Sequence, residues 1–192
     1  MSKGLRYFAE LFSEPPYASK FNKRDAADKS LMELSIISEW CCSMTSAFDR
    51  QVSNIKVGGD PPDFLCTVDQ KESSVELTEL VDGLLKSEVV QRRRGGEKVS
   101  PSSPDIFSRA QWDSTRLRKE IQSILTKKSR SQLDLKFDNI LLVHTDEPWL
   151  NKKLVEELLQ SPDLELSSGF DEVHLIMSYC PHTGYWPLYR II

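Results

Sequence analysis

Cysteine and histidine are scarce in this chain of 192 residues, and those present are poorly spaced for metal or redox chemistry. The four cysteines, Cys41, Cys42, Cys66 and Cys180, include no CxxC pair, which removes the common zinc-ribbon and thioredoxin-type spacings. Cys41 and Cys42 are neighbours on an expected helix, so reduced and mostly buried thiols are the reading they support. His144, His174 and His182 are scattered, leaving Cys180 with His182 as the one close pair of zinc-type ligands. Long apolar runs are missing as well: none approaches the ~18 residues of a membrane span. Met1 to Lys20 lacks the basic start and apolar middle of a signal peptide. A cytoplasmic protein with no membrane partner is therefore expected.

What is present is the composition of a folded domain. Hydrophobic residues make up 39% of the chain and the mean hydropathy is −0.40. A chain of this length can bury a core without disulfide or metal staples, so residues 1–192 are expected to form a single domain. The net charge of −4 hides an asymmetry. Lys86 to Arg130 holds twelve Lys and Arg against five Asp and Glu, a balance of +7 that leaves −11 for the remainder. One basic face that meets phosphates would divide charge in this way, and so would a solvated amphipathic helix beside a basic loop.

Along the chain, residues 1–23 mix aromatics with Pro15-Pro16 and read as an N-terminal arm. From Arg24 to Phe48, Leu34, Ile37, Trp40, Cys41, Met44 and Phe48 recur at helical spacing, which predicts a long amphipathic helix with Glu33 on or beside its buried stripe. Val57 to Pro62 reads as a stiff loop. Strands follow over Asp63 to Val68 and Ser74 to Leu80, joined by the turn-like Asp69-Gln70-Lys71-Glu72. Residues 87–105, with Arg92-Arg93-Arg94-Gly95-Gly96 and two Ser-Pro steps, read as a flexible basic loop that is a candidate for binding nucleic-acid phosphates. A helix beginning near Ile106 or Ala110 runs to Lys128, with Leu117, Ile121, Ile124 and Leu125 as its apolar side. Lys128 continues that side at i+4 from Ile124, so its ammonium either reaches the sheet or snorkels to solvent at the helix end. Phe137 to His144 is a run typical of a strand buried on both faces, Pro148 opens a helix through Leu159, and strands are expected over Glu172 to Ser178 and Tyr185 to Ile191. The order predicts an α/β fold, a mixed sheet with helices on both faces.

Chemistry concentrates between Gly58 and Leu80. Asp63 at the start of one strand and Glu76 within the next can aim oxygen ligands at one point, and hard cations such as Mg²⁺ favour such ligands. Strand side chains alternate, so Thr78 shares a face with Glu76 at about 7 Å, whereas Leu77 and Glu79 point away. Glu79 is the weaker ligand candidate for that reason. Asp63 after two prolines would also serve as a turn cap. Glu76 is harder to explain without chemistry, since Glu is disfavoured in strands and costly to bury without a partner.

An acidic helix, then Pro-Pro-Asp-Phe on one strand, Val-Glu-Leu-Thr on the next, then a helix and a buried strand, resembles the PD-(D/E)XK nuclease superfamily over about Asp25 to Tyr179. The resemblance implies a restriction endonuclease-like core and hydrolysis of phosphodiester bonds in nucleic acid. It implies Mg²⁺ or Mn²⁺ held by Asp63, Glu76 and an acidic residue of the first helix, Glu33 or, second, Glu39. Nucleases of this type are often arranged as dimers, so a homodimer is in keeping with it. The family's lysine two residues after the Glu is Thr78 here. Either a lysine from elsewhere fills the space, with Lys128 or Lys119 as candidates and Gln122 as a polar substitute, or the Thr78 hydroxyl orients water, or the module no longer cleaves and binds nucleic acid or a protein partner instead. An unrelated α/β fold with an accidental motif is the remaining alternative.

Overall fold

The even and odd positions of one strand organise the molecule. In Lys71–Glu79, the run from Ser73 to Leu77 is buried without interruption, so both faces of the strand are covered. The computed structural model describes residues 26–59, 61–83, 87–88, 91–92, 95–96, 111–128, 136–147, 150–161, 166, 168–180 and 184–192. The arm expected over residues 1–23 lies outside them, and the helix expected from near Ile106 or Ala110 begins only at Ser114, because Gln111, Trp112 and Asp113 are not helical. In chain order the described elements are α1 (Ala26–Phe48), β1 (Val52–Val57), β2 (Phe64–Val68), β3 (Lys71–Glu79), α2 (Ser114–Lys128), β4 (Asp138–Thr145), α3 (Lys152–Leu159), β5 (Glu172–Met177) and β6 (Leu188–Arg190). The strands form one six-stranded sheet in the order β1-β2-β3-β4-β5-β6. β1, β2 and β3 run as an antiparallel meander, β3, β4 and β5 are parallel, and β6 returns antiparallel to β5. The expected α/β fold with a mixed sheet is thus present.

Two apolar clusters fill the two sides. Val75 and Leu77 of β3, Ile140 and Leu142 of β4 and Ile176 of β5 pack with Ile36, Ile37, Trp40 and Met44 of α1. Leu141 and Val143 of β4 and Val173 and Leu175 of β5 pack with Leu117, Ile121 and Leu125 of α2 and with Val155 and Leu158 of α3. One face of the sheet therefore carries α1 and the other carries α2 and α3. α3 begins at Lys152, four residues later than expected, where the Asn151 side chain accepts the N–H of Leu154 at 3.0 Å and caps the helix.

Several expectations need correction. The strand β1 was not anticipated; Val52 is its one partly buried residue, and without a covered face its sequence has no alternation to read. The connection between β2 and β3 is two residues rather than four: Asp69 and Gln70 adopt φ of 48° and 72°, and Val68 already pairs with Lys71. On α1 the buried stripe runs through Met32, Ile36, Ile37, Trp40 and Met44, while Leu34 is exposed. Within residues 87–105, the described Ser87, Glu88, Gln91 and Arg92 are helical rather than loop, and Gly95 and Gly96 form a turn. Among the described residues no helix is long and apolar enough to cross a membrane.

Candidate functional site

Backbone register sets Asp63 and Glu76 on neighbouring strands, one step past the pair of Phe64 and Val75. β2 pairs with β3 through Phe64 and Val75, so the next step outward sets Asp63 across from Glu76. Asp63 is not yet in the ladder, and its carboxylate takes over the missing rung: Oδ2 accepts the N–H of Leu77 at 2.7 Å. The preceding loop closes tightly on itself. Gly58 donates its N–H to the Asp63 carbonyl at 2.8 Å, and a Cβ on Gly58 would lie 2.1 Å from the Pro62 carbonyl oxygen. The Pro61-Pro62 bond is cis. A glycine at 58 thus holds Asp63 at the mouth of the hairpin.

Glu76 lies on the α2 face, since its neighbours Val75 and Leu77 belong to the α1 cluster. It is 9% exposed. Lys128, the last residue of α2, places Nζ 2.6 Å from Glu76 Oε1. Glu76 Oε2 is enclosed and has no hydrogen-bond partner. A charge-assisted bond of this length offsets much of the cost of burying the carboxylate, yet half of its acceptor capacity is unused. Thr78, half-buried, shares the face of Glu76.

The remaining residues singled out in the sequence are placed elsewhere. Glu33 is on α1, across the sheet from Glu76, and pairs with Lys29 at 3.2 Å. Glu39 shares that helix and accepts from Ser35 Oγ at 3.0 Å. Lys119 is exposed on α2, and Gln122 Nε2 donates to Thr126 Oγ1 at 3.4 Å. Arg92 pairs with Glu88 at 3.7 Å, while Arg93, Arg94 and His182 lie outside the described residues. Among the described residues, no group of three or more His, Cys, Asp and Glu is gathered as a metal would require. A site of two carboxylates still suits Mg²⁺, which commonly takes one or two of them and fills its other positions with water and substrate phosphate. The orphaned Oε2 of Glu76 and the Asp63 carboxylate opposite it are the oxygen donors that fit such an ion.

A second polar assembly was not foreseen. Trp40 Nε1 of α1 donates to His174 Nδ1 at 3.0 Å, and His174 Nε2 lies 3.1 Å from Glu172 Oε2. Arg50 bridges Glu172 at 2.7 Å and Asp69 at 2.6 Å. The His174 imidazole, followed by Arg50, outweighs the opposing effect of burial and holds the Glu172 carboxyl at about 2, far below its ordinary 4.5. Members of this chain of contacts are up to 134 residues apart, so no local pattern announces it. None of the four cysteines is in a disulfide, and burial pushes Cys41 up to about 12 and Cys66 up to about 11, which makes both poor nucleophiles.

Comparisons with protein-family models, with curated proteins and with solved structures found no match for this chain.

Proposed function

We propose that this protein is a metal-dependent nuclease that hydrolyses phosphodiester bonds, with α2 supplying the lysine that β3 lacks at Thr78. The observation that carries the reading is the approach of Lys128 Nζ to within 2.6 Å of Glu76, on a face where Asp63 stands across from that Glu. Glutamate and lysine thereby meet although the lysine arrives from 52 residues away, and Asp63 lies one register step beyond the pair of Phe64 and Val75 on the neighbouring strand. The order of helix, three-strand meander, helix and parallel strand also agrees with a restriction endonuclease-like core.

In this reading Asp63 and Glu76 are the protein ligands of Mg²⁺ or Mn²⁺, an ion whose chemistry is to polarise a phosphoryl oxygen and acidify bound water. Lys128 stabilises the charge that develops on the scissile phosphate, and the Thr78 hydroxyl helps to orient water. The basic residues of α2 and the Arg92-Arg93-Arg94 run hold the nucleic-acid backbone. The test is a cleavage panel on DNA and RNA with Mg²⁺ or Mn²⁺. Cleavage should be lost in both Asp63→Ala and Glu76→Ala, and activity indifferent to both changes would overturn the assignment.

A second reading, a non-catalytic module of the same architecture that binds nucleic acid or a protein, is favoured by two observations. Asp63 Oδ2 already serves the Leu77 N–H, and Glu33 stands on the opposite face of the sheet from Glu76. Calorimetric titration separates the two, because the module predicts no Mg²⁺ or Mn²⁺ uptake at these carboxylates.

A further inference from the structure

Glu76 has one oxygen taken and one left over. Oε1 lies against Lys128 Nζ at 2.6 Å, and Oε2 is enclosed without a hydrogen-bond partner. A divalent cation bound to this carboxylate at ~2 Å would meet the ammonium at roughly 4 Å, in surroundings where water screens little. At that distance the two positive charges repel and compete for the same carboxylate. Lys128 has somewhere else to go: it ends α2 and its side chain keeps 30% of its surface exposed, so a few rotations of the four-carbon stem carry the ammonium outward to solvent.

We propose that Lys128 is an internal competitor for the divalent cation, neutralising Glu76 while the site is empty and withdrawing when the ion enters. This rests on the reading of Glu76 as a metal ligand. It explains why a carboxylate can be nine-tenths buried with half its acceptor capacity unused: the lysine is a removable counter-ion that preserves the fold without completing the coordination. It also ties loading to the lysine's own placement, because the ammonium that leaves Glu76 becomes available to an incoming phosphate.

Mn²⁺ binding in the absence of nucleic acid tests the proposal, followed by the paramagnetic signal of the free ion and by calorimetry. The proteins compared are the native chain, Lys128→Gln, Lys128→Met, Lys128→Arg and Glu76→Gln. Removing the charge in Lys128→Gln should tighten Mn²⁺ binding by about tenfold, the equivalent of one modest ion pair. Lys128→Arg should bind as weakly as the native chain, and Glu76→Gln should lose the site. Lys128→Met, which keeps an unbranched stem without the charge, repeats the measurement should the Gln variant fold poorly. If neither neutral variant gains affinity while Glu76→Gln still abolishes binding, the competitor is refuted and the metal site stands. If Mn²⁺ binds equally with and without Glu76, or does not bind to any of these proteins, the metal reading fails and the competitor with it.

Discussion

Replacing Glu172 by Gln removes the one negative charge held between Arg50 and His174 while keeping the shape of the side chain. In the folded protein this carboxyl ionises at about 2, against 4.5 for an ordinary Glu. The unfolded chain therefore takes up the proton near pH 4.5, while the folded chain resists it until about pH 2. The stabilisation is complete above pH 4.5 and is lost as the pH falls towards 2. A difference of this size corresponds to at most about 3–4 kcal/mol, and solvent screening of a side chain that keeps 17% of its surface exposed reduces it to on the order of 1–2 kcal/mol. Glu172→Gln has no such group to titrate. Urea unfolding followed by tryptophan fluorescence from pH 7 to pH 2.5 should show the variant less stable by that amount at neutral pH, with the gap narrowing below pH 4.5. Carboxylates away from Arg50 titrate alike in both proteins and cancel in the difference, while Asp69, on the same guanidinium, loses the repulsion of Glu172 and is held further below its ordinary range in the variant. A gap that stays constant from pH 6 to pH 3, or no gap at pH 7, would refute the claim that the carboxylate is held ionised by its partners.

Trp40→Phe keeps an aromatic ring in the α1 core but leaves His174 Nδ1 buried without a donor, so a loss of about 1–3 kcal/mol is expected. For a chain of this size that lowers the melting temperature by roughly 2–10 °C, readable by calorimetry. Gly58→Ala forces a Cβ onto the Pro62 carbonyl and should cost about 1–3 kcal/mol in urea unfolding. Because the same loop aims Asp63, Mn²⁺ affinity should fall in the refolded variant as well, and a Gly58→Ala protein with native stability would show that the loop yields freely.

The parts of the fold that were legible are those whose burial is one-sided or complete. Leu117, Ile121 and Leu125 keep strict helical spacing, and all three are fully enclosed on α2. The run of β4 is apolar on both faces because the sheet is covered twice. β1 offers neither signal: it is an edge strand with a bulge between Ser53 and Lys56, and its side chains face solvent. On α1, Leu34 was read as core and Ile36 was not, although Ile36 is fully buried and Leu34 is 42% exposed. A helix of 23 residues with apolar side chains around much of its circumference admits more than one stripe, and packing against Val75 and Leu77 selects among them.

The candidate site was legible to the same degree and for the same reason. Helical phase put Lys128 in line with the apolar side of its helix, reaching the sheet or snorkelling to solvent, and Glu33 on or beside a buried stripe, yet phase alone does not say which face of the sheet a helix covers. Strand parity does. Val75 and Leu77 carry the apolar side chains that α1 needs, which leaves Ser74, Glu76 and Thr78 to the face of α2 and α3. Once Glu76 is on that face, α1 cannot answer its charge, however acidic or basic its surface. The answering cation has to come from the helices across the sheet from α1. The C-terminal turn of α2 is well suited to provide it, because an ammonium there is also favoured by the unpaired helix carbonyls. The absence of lysine at 78 and the presence of lysine at 128 are then two statements of one constraint: a carboxylate buried on this face needs a positive charge, and the helix above the strand supplies it in place of the strand itself.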